Sequence, residues 1–227
     1  IVDRGATEPR EITLVAEEIT RVPVQGVRVL DTASGPVGYL AFHDHIATAE
    51  AGLVEAIIQL RDAEIVDLVV DLRYNGGGLL GIAAQFGTMV AGASAAAGRT
   101  FSELEFNAKH QVFNPFTGRN LEPDLFPTTR LGFAGPSGAV LPSVALERVF
   151  VLTGPGTCSA SEVFLNALRG VDVEQYLLGE RVDHQLPARH RSRGGTDRRP
   201  HLRQALRFLS DRQLRHDLFL HPLPQRE

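Results

Sequence analysis

Ser159-Ala160-Ser161-Glu162 is a small-residue turn between a predicted strand and a predicted helix. Residues 149–152 are apolar and predict the strand, and the segment after Ser159 predicts a helix that ends near Leu168. A serine on a strand-to-helix turn presents its hydroxyl at the end of a sheet, beside the first backbone N–H groups of the helix. The turn therefore favours a nucleophile next to an oxyanion hole, although the same serines also fit a helix N-cap.

The composition indicates a globular protein and bounds its partners. The 227 residues are 43% hydrophobic, which suits one medium domain or one domain with appendages. A net charge of −4 gives no reason to expect nucleic acid or an anionic membrane as a partner. No apolar run approaches the roughly 18 residues that cross a bilayer, so no membrane span is expected. Because the chain opens at Ile1 without an initiator Met or a signal sequence, we expect a processed precursor or a fragment.

Apolar patterning along the chain predicts an α/β fold. Strands are predicted at 11–22, 24–30, 37–42, 66–72, 149–152 and 176–178, and helices at 48–63, 79–90 and after Ser159. This order of strands and helices gives βαβ units, which are typical of a parallel sheet. Residues 100–147 contain five prolines and no clear period, and they predict long loops over the sheet.

A second motif, Asp71-Leu72-Arg73-Tyr74-Asn75-Gly76-Gly77-Gly78, follows the buried strand predicted at 66–72. Glycines at this place let the backbone turn sharply and bring N–H groups close to a ligand. A phosphate-binding loop would need a Gly-Lys-Ser/Thr ending or the G-x-G-x-x-G pattern, and this turn has neither. Taken by itself, the glycine run also fits a tight connection from strand to helix.

The two motifs together resemble the C-terminal processing (tail-specific) proteases, a family of serine peptidases. The resemblance covers roughly residues 24–180, including the segments 37–42 and 178–180. It implies a crotonase-like ββα core, a preceding PDZ-type peptide-binding domain, and a Ser/Lys dyad. Residues 1–22 would then be the remnant of a PDZ-like domain, residues 23–180 the catalytic core, and residues 181–227 an atypical tail. The resemblance also implies a periplasmic or cell-envelope location, a peptide or unfolded protein as substrate, and no cofactor.

The resemblance assigns roles to individual residues. Ser159, the first serine of its motif, matches the nucleophile, and the N–H groups of Gly78 and Ala160 match the two oxyanion donors, in agreement with a helix N-terminus that faces a glycine turn. Asp71 and Arg73 are interpreted as a charged pair that orders a loop. Cys158, the single cysteine, is interpreted as a small buried residue, and its solitary occurrence excludes an intramolecular disulfide or a multi-cysteine zinc site.

The general base of the dyad is not identified in this sequence. In the family a Lys follows the serine motif by about 25 residues, whereas here Gly179-Glu180 is followed by Arg181-Val182-Asp183-His184-Gln185. Lys109 is the only lysine, and it lies in a segment that resembles a non-catalytic stretch of the family. His184 stands near the expected place but is weak evidence for a base, and we leave the base unknown. The pair His43 and His45 has no further convergent ligand, so no metal site is expected.

The tail after residue 180 differs in character from the rest of the chain. Residues 181–227 hold 11 of the 22 arginines and 5 of the 8 histidines. Such a segment is typical of a solvated or basic arm. A third hypothesis is a shifted reading frame. Residues 202–210 can be encoded so that the frame one base later reads Cys-Gly-Lys-Arg-Tyr-Gly-Phe-Tyr-Pro, which contains the missing Gly-Lys, although codon choice is free and the spacing is about 20 residues too long.

Three functions are therefore open at the level of sequence. The leading hypothesis is a tail-specific serine endopeptidase that acts by acyl transfer through Ser159. The alternative is a catalytically inactive peptide-binding pseudoprotease, because the dyad Lys is absent. The third is a crotonase-fold enzyme that acts on an acyl thioester. Such an enzyme would also use an oxyanion hole, but this function does not explain the motif at residues 159–162.

Overall fold

The computed structural model of the chain describes residue 5, residues 7–9 and residues 11–179. Seven strands and four helices occur in this part of the chain. The strands are β1 (Val24–Thr32), β2 (Gly35–Phe42), β3 (Asp67–Asp71), β4 (Thr100–Ser102), β5 (Asp124–Leu125), β6 (Arg148–Thr153) and β7 (Glu174–Gly179). The helices are α1 (Ala49–Asp62), α2 (Leu80–Ala91), α3 (Ala93–Ala96) and α4 (Ala160–Gly170).

The main sheet has five strands in the order β1-β2-β3-β6-β7. β1 pairs with β2 in antiparallel orientation, and the other three pairs are parallel. Helices α1 and α4 each connect two adjacent parallel strands, and α2 lies on the connection from β3 to β6. The predicted α/β class and its βαβ units are confirmed, while the crotonase-like and PDZ-like details remain predictions. Because β2, β3, β6 and β7 are parallel, their carboxyl ends lie along one edge of the sheet.

The core packs α1, α2 and α4 against one face of the sheet. Phe86 of α2 connects α4 and β2 in this core, since the Phe86 ring stacks on the Phe164 ring with centroids 4.8 Å apart and meets the Phe42 ring edge-on at 5.6 Å. Full burial of one such side chain stabilises the fold by about 2–3 kcal/mol. β3 is buried along its whole length, which explains the continuous apolar run that predicted it.

A buried carboxylate ties the long segment 100–147 to this core. Glu50 of α1 has no exposed surface, and its side chain accepts the backbone N–H groups of Leu131, Gly132 and Ala134 at 2.9–3.1 Å. Burial alone would raise the pKa of Glu50, but the N–H groups of Ala134 and Gly132 outweigh it and lower that pKa. Apart from the short strands β4 and β5, this segment is irregular between residues 100 and 147, as predicted.

The strand predicted at 11–22 is wrong. Residues 11–22 have no regular structure, and Leu14 and Val15 are 83% and 87% exposed. Alternating apolar residues form a strand only where a partner strand accepts their hydrogen bonds, and this segment has no pairing with the sheet. The short helix α3 was not predicted, because its small residues show no apolar period. In the described ranges no helix is long and apolar enough to cross a membrane.

Candidate active site

Two turns meet at the carboxyl edge of the sheet. The serine turn, residues 154–159, connects β6 to α4, and the glycine turn, residues 72–79, connects β3 to α2. The predicted strand, turn and helix around Ser159 are confirmed as β6, the serine turn and α4. The helix predicted to follow the three glycines is confirmed as α2. The edge where open α/β sheets bind ligands is therefore the edge that carries both sequence motifs.

Ser159 has an unusual backbone conformation at the end of the serine turn. Its φ is 57° and its ψ is −121°, a region that residues with a side chain rarely occupy and that costs about 1–3 kcal/mol. The Glu162 carboxylate accepts the Ser159 N–H at 2.9 Å, and the Ser159 carbonyl accepts the N–H groups of Glu162 and Val163. These bonds hold Ser159 at the start of α4 with an exposed side chain. A serine held in a strained turn between strand and helix is typical of a nucleophile elbow.

The glycine turn presses its backbone against the serine turn. A methyl group on Gly77 would lie 2.7 Å from Ser159 Cβ and 2.8 Å from the Ala160 nitrogen. A methyl group on Gly78 would lie 2.5 Å from the His45 carbonyl oxygen. Both glycines have positive φ, 102° and 133°. The approach of the two turns therefore depends on the absence of side chains at both positions.

Hydrogen bonds connect the serine turn and the start of α4 to the glycine turn. Thr157 Oγ1 donates to the Leu72 carbonyl at 2.6 Å and accepts the Gly154 N–H at 3.0 Å. Ser161, which is fully buried, donates from Oγ to the Asn75 carbonyl at 3.1 Å. Cys158 is only partly buried, whereas the sequence interpretation had it buried. Its Sγ donates to the Gly76 carbonyl at 3.2 Å.

The N–H groups of Gly78 and Ala160 are free of intramolecular acceptors in the part of the chain that the structure describes. The Gly77 carbonyl accepts the His45 N–H at 3.0 Å. Since the C=O and N–H of a trans peptide point in opposite directions, the Gly78 N–H points away from His45. The Ser159 carbonyl points into α4, so the Ala160 N–H points out of the helix N-terminus by the same argument. Both donors are thus unused, the Ala160 N–H directly after Ser159 in the chain and the Gly78 N–H in the turn that packs against the serine turn.

Asn75 and His45 support the glycine turn, and sequence reasoning did not assign them a role. Asn75 is buried, and its side chain donates to the Phe42 carbonyl at 2.9 Å and accepts the Gly77 N–H at 3.0 Å. Nδ1 of the buried His45 lies 2.9 Å from the same Asn75 oxygen. Burial lowers the pKa of His45 from 6.5 to about 4, so the ring is neutral at neutral pH. The only sequence signals were an Asn before glycines and a His after a strand.

Asp71 and Arg73 order the start of the glycine turn, as interpreted from the sequence. The Arg73 guanidinium binds the Asp71 carboxylate through two nitrogens, with Nη2 to Oδ2 at 2.6 Å, and the Arg73 backbone N–H donates to Oδ1 at 3.1 Å. The Tyr39 hydroxyl also donates to Asp71, at 3.0 Å. Burial and the neighbouring Asp71 charge raise the pKa of Tyr39, and the Asp71 bonds raise that of Arg73, so Tyr39 stays neutral and Arg73 stays charged at neutral pH.

No side-chain nitrogen within residues 11–179 hydrogen-bonds the Ser159 hydroxyl. Lys109 is exposed on the irregular segment between β4 and β5. His184 and the whole tail at 181–227 lie outside the described residues. His43 is near Tyr74, with ring centroids 6.5 Å apart. Among the described side chains, no group of three His, Cys, Asp or Glu is arranged to hold a metal ion.

Comparison with known proteins identifies the family. The model of peptidase family S41 matches residues 36–184, and the chain belongs to this family. A solved structure from Bacteroides fragilis NCTC 9343, assigned as an S41 protease, is 25% identical with a TM-score of 0.53 and aligns with 72% of this chain and 39% of its own. A photosystem II D1 C-terminal processing protease is 22% identical with a TM-score of 0.47, over 73% of this chain and 38% of its own. No curated protein matches significantly. The chain thus spans about two fifths of the length of these two solved proteins.

Proposed function

We propose that residues 23–180 are the catalytic core of a tail-specific serine endopeptidase with Ser159 as its nucleophile. The observation that carries the proposal is the strained conformation of Ser159, with φ 57°, at a strand-to-helix turn packed against the glycine turn. Strain of this kind persists only where the surrounding structure imposes it, and it clusters at functional sites. Ser161 in the same motif is buried and bonded to Asn75, which favours the exposed Ser159 as the reactive serine.

The chemistry is acyl transfer. The Ser159 hydroxyl loses its proton to a general base as Oγ forms a bond to the scissile carbonyl carbon, and the carbonyl π electrons move to its oxygen. The N–H groups of Gly78 and Ala160 stabilise that oxyanion, which is worth about 100-fold in rate for each donor. The peptide C–N bond then breaks, the amine leaves with the proton from the base, and water releases the acyl group from Ser159 by the reverse steps.

The general base is the open part of the mechanism. The resemblance to the tail-specific proteases places a Lys after residue 180, where this chain has Arg181 and His184 instead. A serine hydroxyl without a positioned base is a weak nucleophile. A chain that keeps the site but has no base would act as a peptide-binding pseudoprotease, and the experiment below separates the two functions.

The substrate that suits this site is a peptide or unfolded protein that enters in an extended conformation, presented C-terminus first. The exposed Ser159 and the two unused N–H donors lie at the open edge of the sheet, where a chain can approach. Because the solved relatives are much longer than this chain, the activity and substrates of the whole protein are part of the proposal.

The test is labelling of the full chain by a fluorescent fluorophosphonate, with labelling rates measured by gel fluorescence. We expect the wild-type chain to react, Ser159→Ala to lose the label, and Ser161→Ala to keep it. Ser161→Ala is the control for the identity of the nucleophile: it removes the other hydroxyl of the motif, and although the loss of its bond to the Asn75 carbonyl slows labelling, the label is kept. Peptide binding by each variant is measured in parallel by fluorescence anisotropy.

Each outcome separates the alternatives. Labelling that persists in Ser159→Ala would refute the assignment of the nucleophile. A wild-type chain that binds peptide but never reacts would support the pseudoprotease. A chain that instead binds coenzyme A would revive the thioester enzyme.

A further inference from the structure

We propose that His45 and Asn75 are positioning residues, which act together through one shared hydrogen-bond acceptor to aim the Gly78 N–H at the substrate oxyanion. This inference rests on the proposed function for the role of Gly78. The underlying geometry lies in residues 42–79 and can be tested without catalysis.

Asn75 is the junction of three segments at the carboxyl edge of the sheet. Its side-chain nitrogen donates to the Phe42 carbonyl at the end of β2, and its side-chain oxygen accepts the Gly77 N–H. Its backbone carbonyl accepts the Ser161 hydroxyl of α4, and more weakly the Cys158 N–H at 3.4 Å. One buried residue therefore connects the end of β2, the glycine turn and the start of α4, the first two through its side chain and the third through its backbone carbonyl.

The bond from Asn75 to Phe42 determines the tautomer of His45. Because the Asn75 nitrogen donates to a carbonyl, the other side-chain atom is the oxygen, which can only accept. His45 Nδ1 lies 2.9 Å from that oxygen and must carry the proton. The Nε2 atom of the neutral ring then bears a lone pair. It is buried and has no hydrogen-bond partner within the described residues.

The backbone of His45 holds the glycine turn at the same time as its ring. The His45 N–H donates to the Gly77 carbonyl at 3.0 Å, and the His45 carbonyl accepts the Leu79 N–H at 2.7 Å. Gly77 is thus held at its N–H by Asn75 and at its carbonyl by His45. Gly77 is held on both sides, and the bond to its carbonyl orients the peptide plane between Gly77 and Gly78, which sets the direction of the Gly78 N–H.

The surroundings of His45 disfavour a charge on its ring. Asp44 is the charged group nearest in the chain, and it is paired with Arg21 at 2.8 Å. The Phe42 ring packs on the imidazole with centroids 4.4 Å apart, so that side offers no acceptor. A second proton on His45 would therefore occupy a buried Nε2 without a partner. The low pKa of about 4 follows from burial and agrees with this geometry.

The first test is nuclear magnetic resonance of the full chain with ¹⁵N-labelled histidine and glycine. We expect His45 as the Nδ1–H tautomer, titrating well below pH 6.5, and we expect the Gly77 and Gly78 amide signals to shift with the same midpoint. In His45→Phe the pH-dependent shift of both glycine signals should disappear, and in the control His43→Phe it should remain. An Nε2–H tautomer, or glycine signals unaffected by His45→Phe, would overturn the proposal. If His45→Phe does not fold, the tautomer and the shared midpoint in the wild-type chain decide it.

The second test follows the fluorophosphonate reaction of Ser159 against pH. We expect His45→Phe and Asn75→Ala to slow labelling about tenfold at neutral pH, less than the roughly 100-fold loss of a whole oxyanion donor. Peptide binding should change little, because the donor acts on the transition state. His45→Gln, whose amide nitrogen can still donate to Asn75, should recover part of the rate. Equal labelling in all variants would refute the positioning role, whereas no labelling in any chain would refute the proposed function and leave the resonance test to decide this one.

Discussion

The glycine turn and the serine turn solve the same geometric problem in different ways. Both need backbone with positive φ where they meet, at Gly77, Gly78 and Ser159. The glycine turn supplies only N–H and C=O groups, so it uses residues that adopt this conformation freely. The serine turn keeps a side chain at Ser159 in a conformation that glycine would adopt with less strain, and the proposed function needs that side chain for its hydroxyl. Strain is thus retained at the one position of the three that has a side chain, which agrees with the proposed role of Ser159 as the nucleophile.

The largest effect is expected from a side chain in the glycine turn. Gly77→Ala places a methyl group 2.7 Å from Ser159 Cβ, and we expect it to lower the free energy of unfolding by about 3 kcal/mol and to abolish labelling of Ser159. Gly76→Ala is the matched control, because the nearest atom to its methyl group would be 3.9 Å away. Urea denaturation measures both. Equal stabilities would show that the turns do not pack as described.

A smaller effect is expected from pH, through the support of the glycine turn. His45 has a pKa of about 4 in the folded chain against 6.5 unfolded, so the unfolded chain binds more protons between these values. Stability is therefore full above about pH 6.5 and falls as the pH drops, by about 2 kcal/mol between pH 7 and pH 5. In His45→Phe this loss of stability at low pH should largely disappear, and in His43→Phe it should remain. Glu50, whose pKa is also lowered, acts at lower pH. If His45→Phe loses as much stability between pH 7 and pH 5 as the wild-type chain, the loss belongs to another titrating group.

The link between the two turns is expected to contribute less. Thr157→Val keeps the shape of the side chain but removes the hydroxyl that bonds to Leu72 and Gly154. The buried partners lose one acceptor and one donor, so we expect a loss of about 1.5 kcal/mol in chemical denaturation. Thr157→Ser keeps the hydroxyl and should retain most of the stability. If both variants lose the same amount, the methyl packing and not the hydrogen bonds holds the turns together.

The smallest expected effect is a gain in stability, whereas the changes above are losses. Ser159→Gly should be more stable than Ser159→Ala by about 1 kcal/mol, because glycine adopts φ 57° without the strain of a side chain. Neither variant should react with the fluorophosphonate. As a control, Ala51→Gly on the exposed side of α1 should destabilise the chain by about 1 kcal/mol. Ser159→Gly less stable than Ser159→Ala would show that the position is not strained.

The sequence predicted those strands, turns and helices that a short-range pattern of residues encodes. The continuous apolar run before Asp71 predicted β3, and the small residues around Ser159 predicted the turn between β6 and α4. The strand predicted at 11–22 failed because a strand needs a partner, which alternation does not reveal. His45 was missed because its role depends on Asn75, 30 residues away, and only the folded sheet brings the two together.

The assignment of roles at the site is a separate matter from the family. Membership of peptidase family S41 rests on the match over residues 36–184. The roles of Ser159, Gly78 and Ala160 remain proposals, as do the domain limits and the shifted reading frame of the tail. Resequencing the gene tests the last of these. Codons that give no Gly-Lys-x-Tyr-Gly-Phe-Tyr-Pro across positions 203–210 in either alternative frame would rule it out.

The most direct test of the account is a crystal structure of the chain with a peptide boronic acid, whose tetrahedral boron imitates the intermediate of acyl transfer. We expect a covalent bond from Ser159 Oγ to boron, with one boronate oxygen about 2.7–3.1 Å from both the Gly78 and the Ala160 nitrogen. A boronate bound to another side chain, or a Ser159 adduct whose oxygens all point away from Gly78 and Ala160, would contradict it.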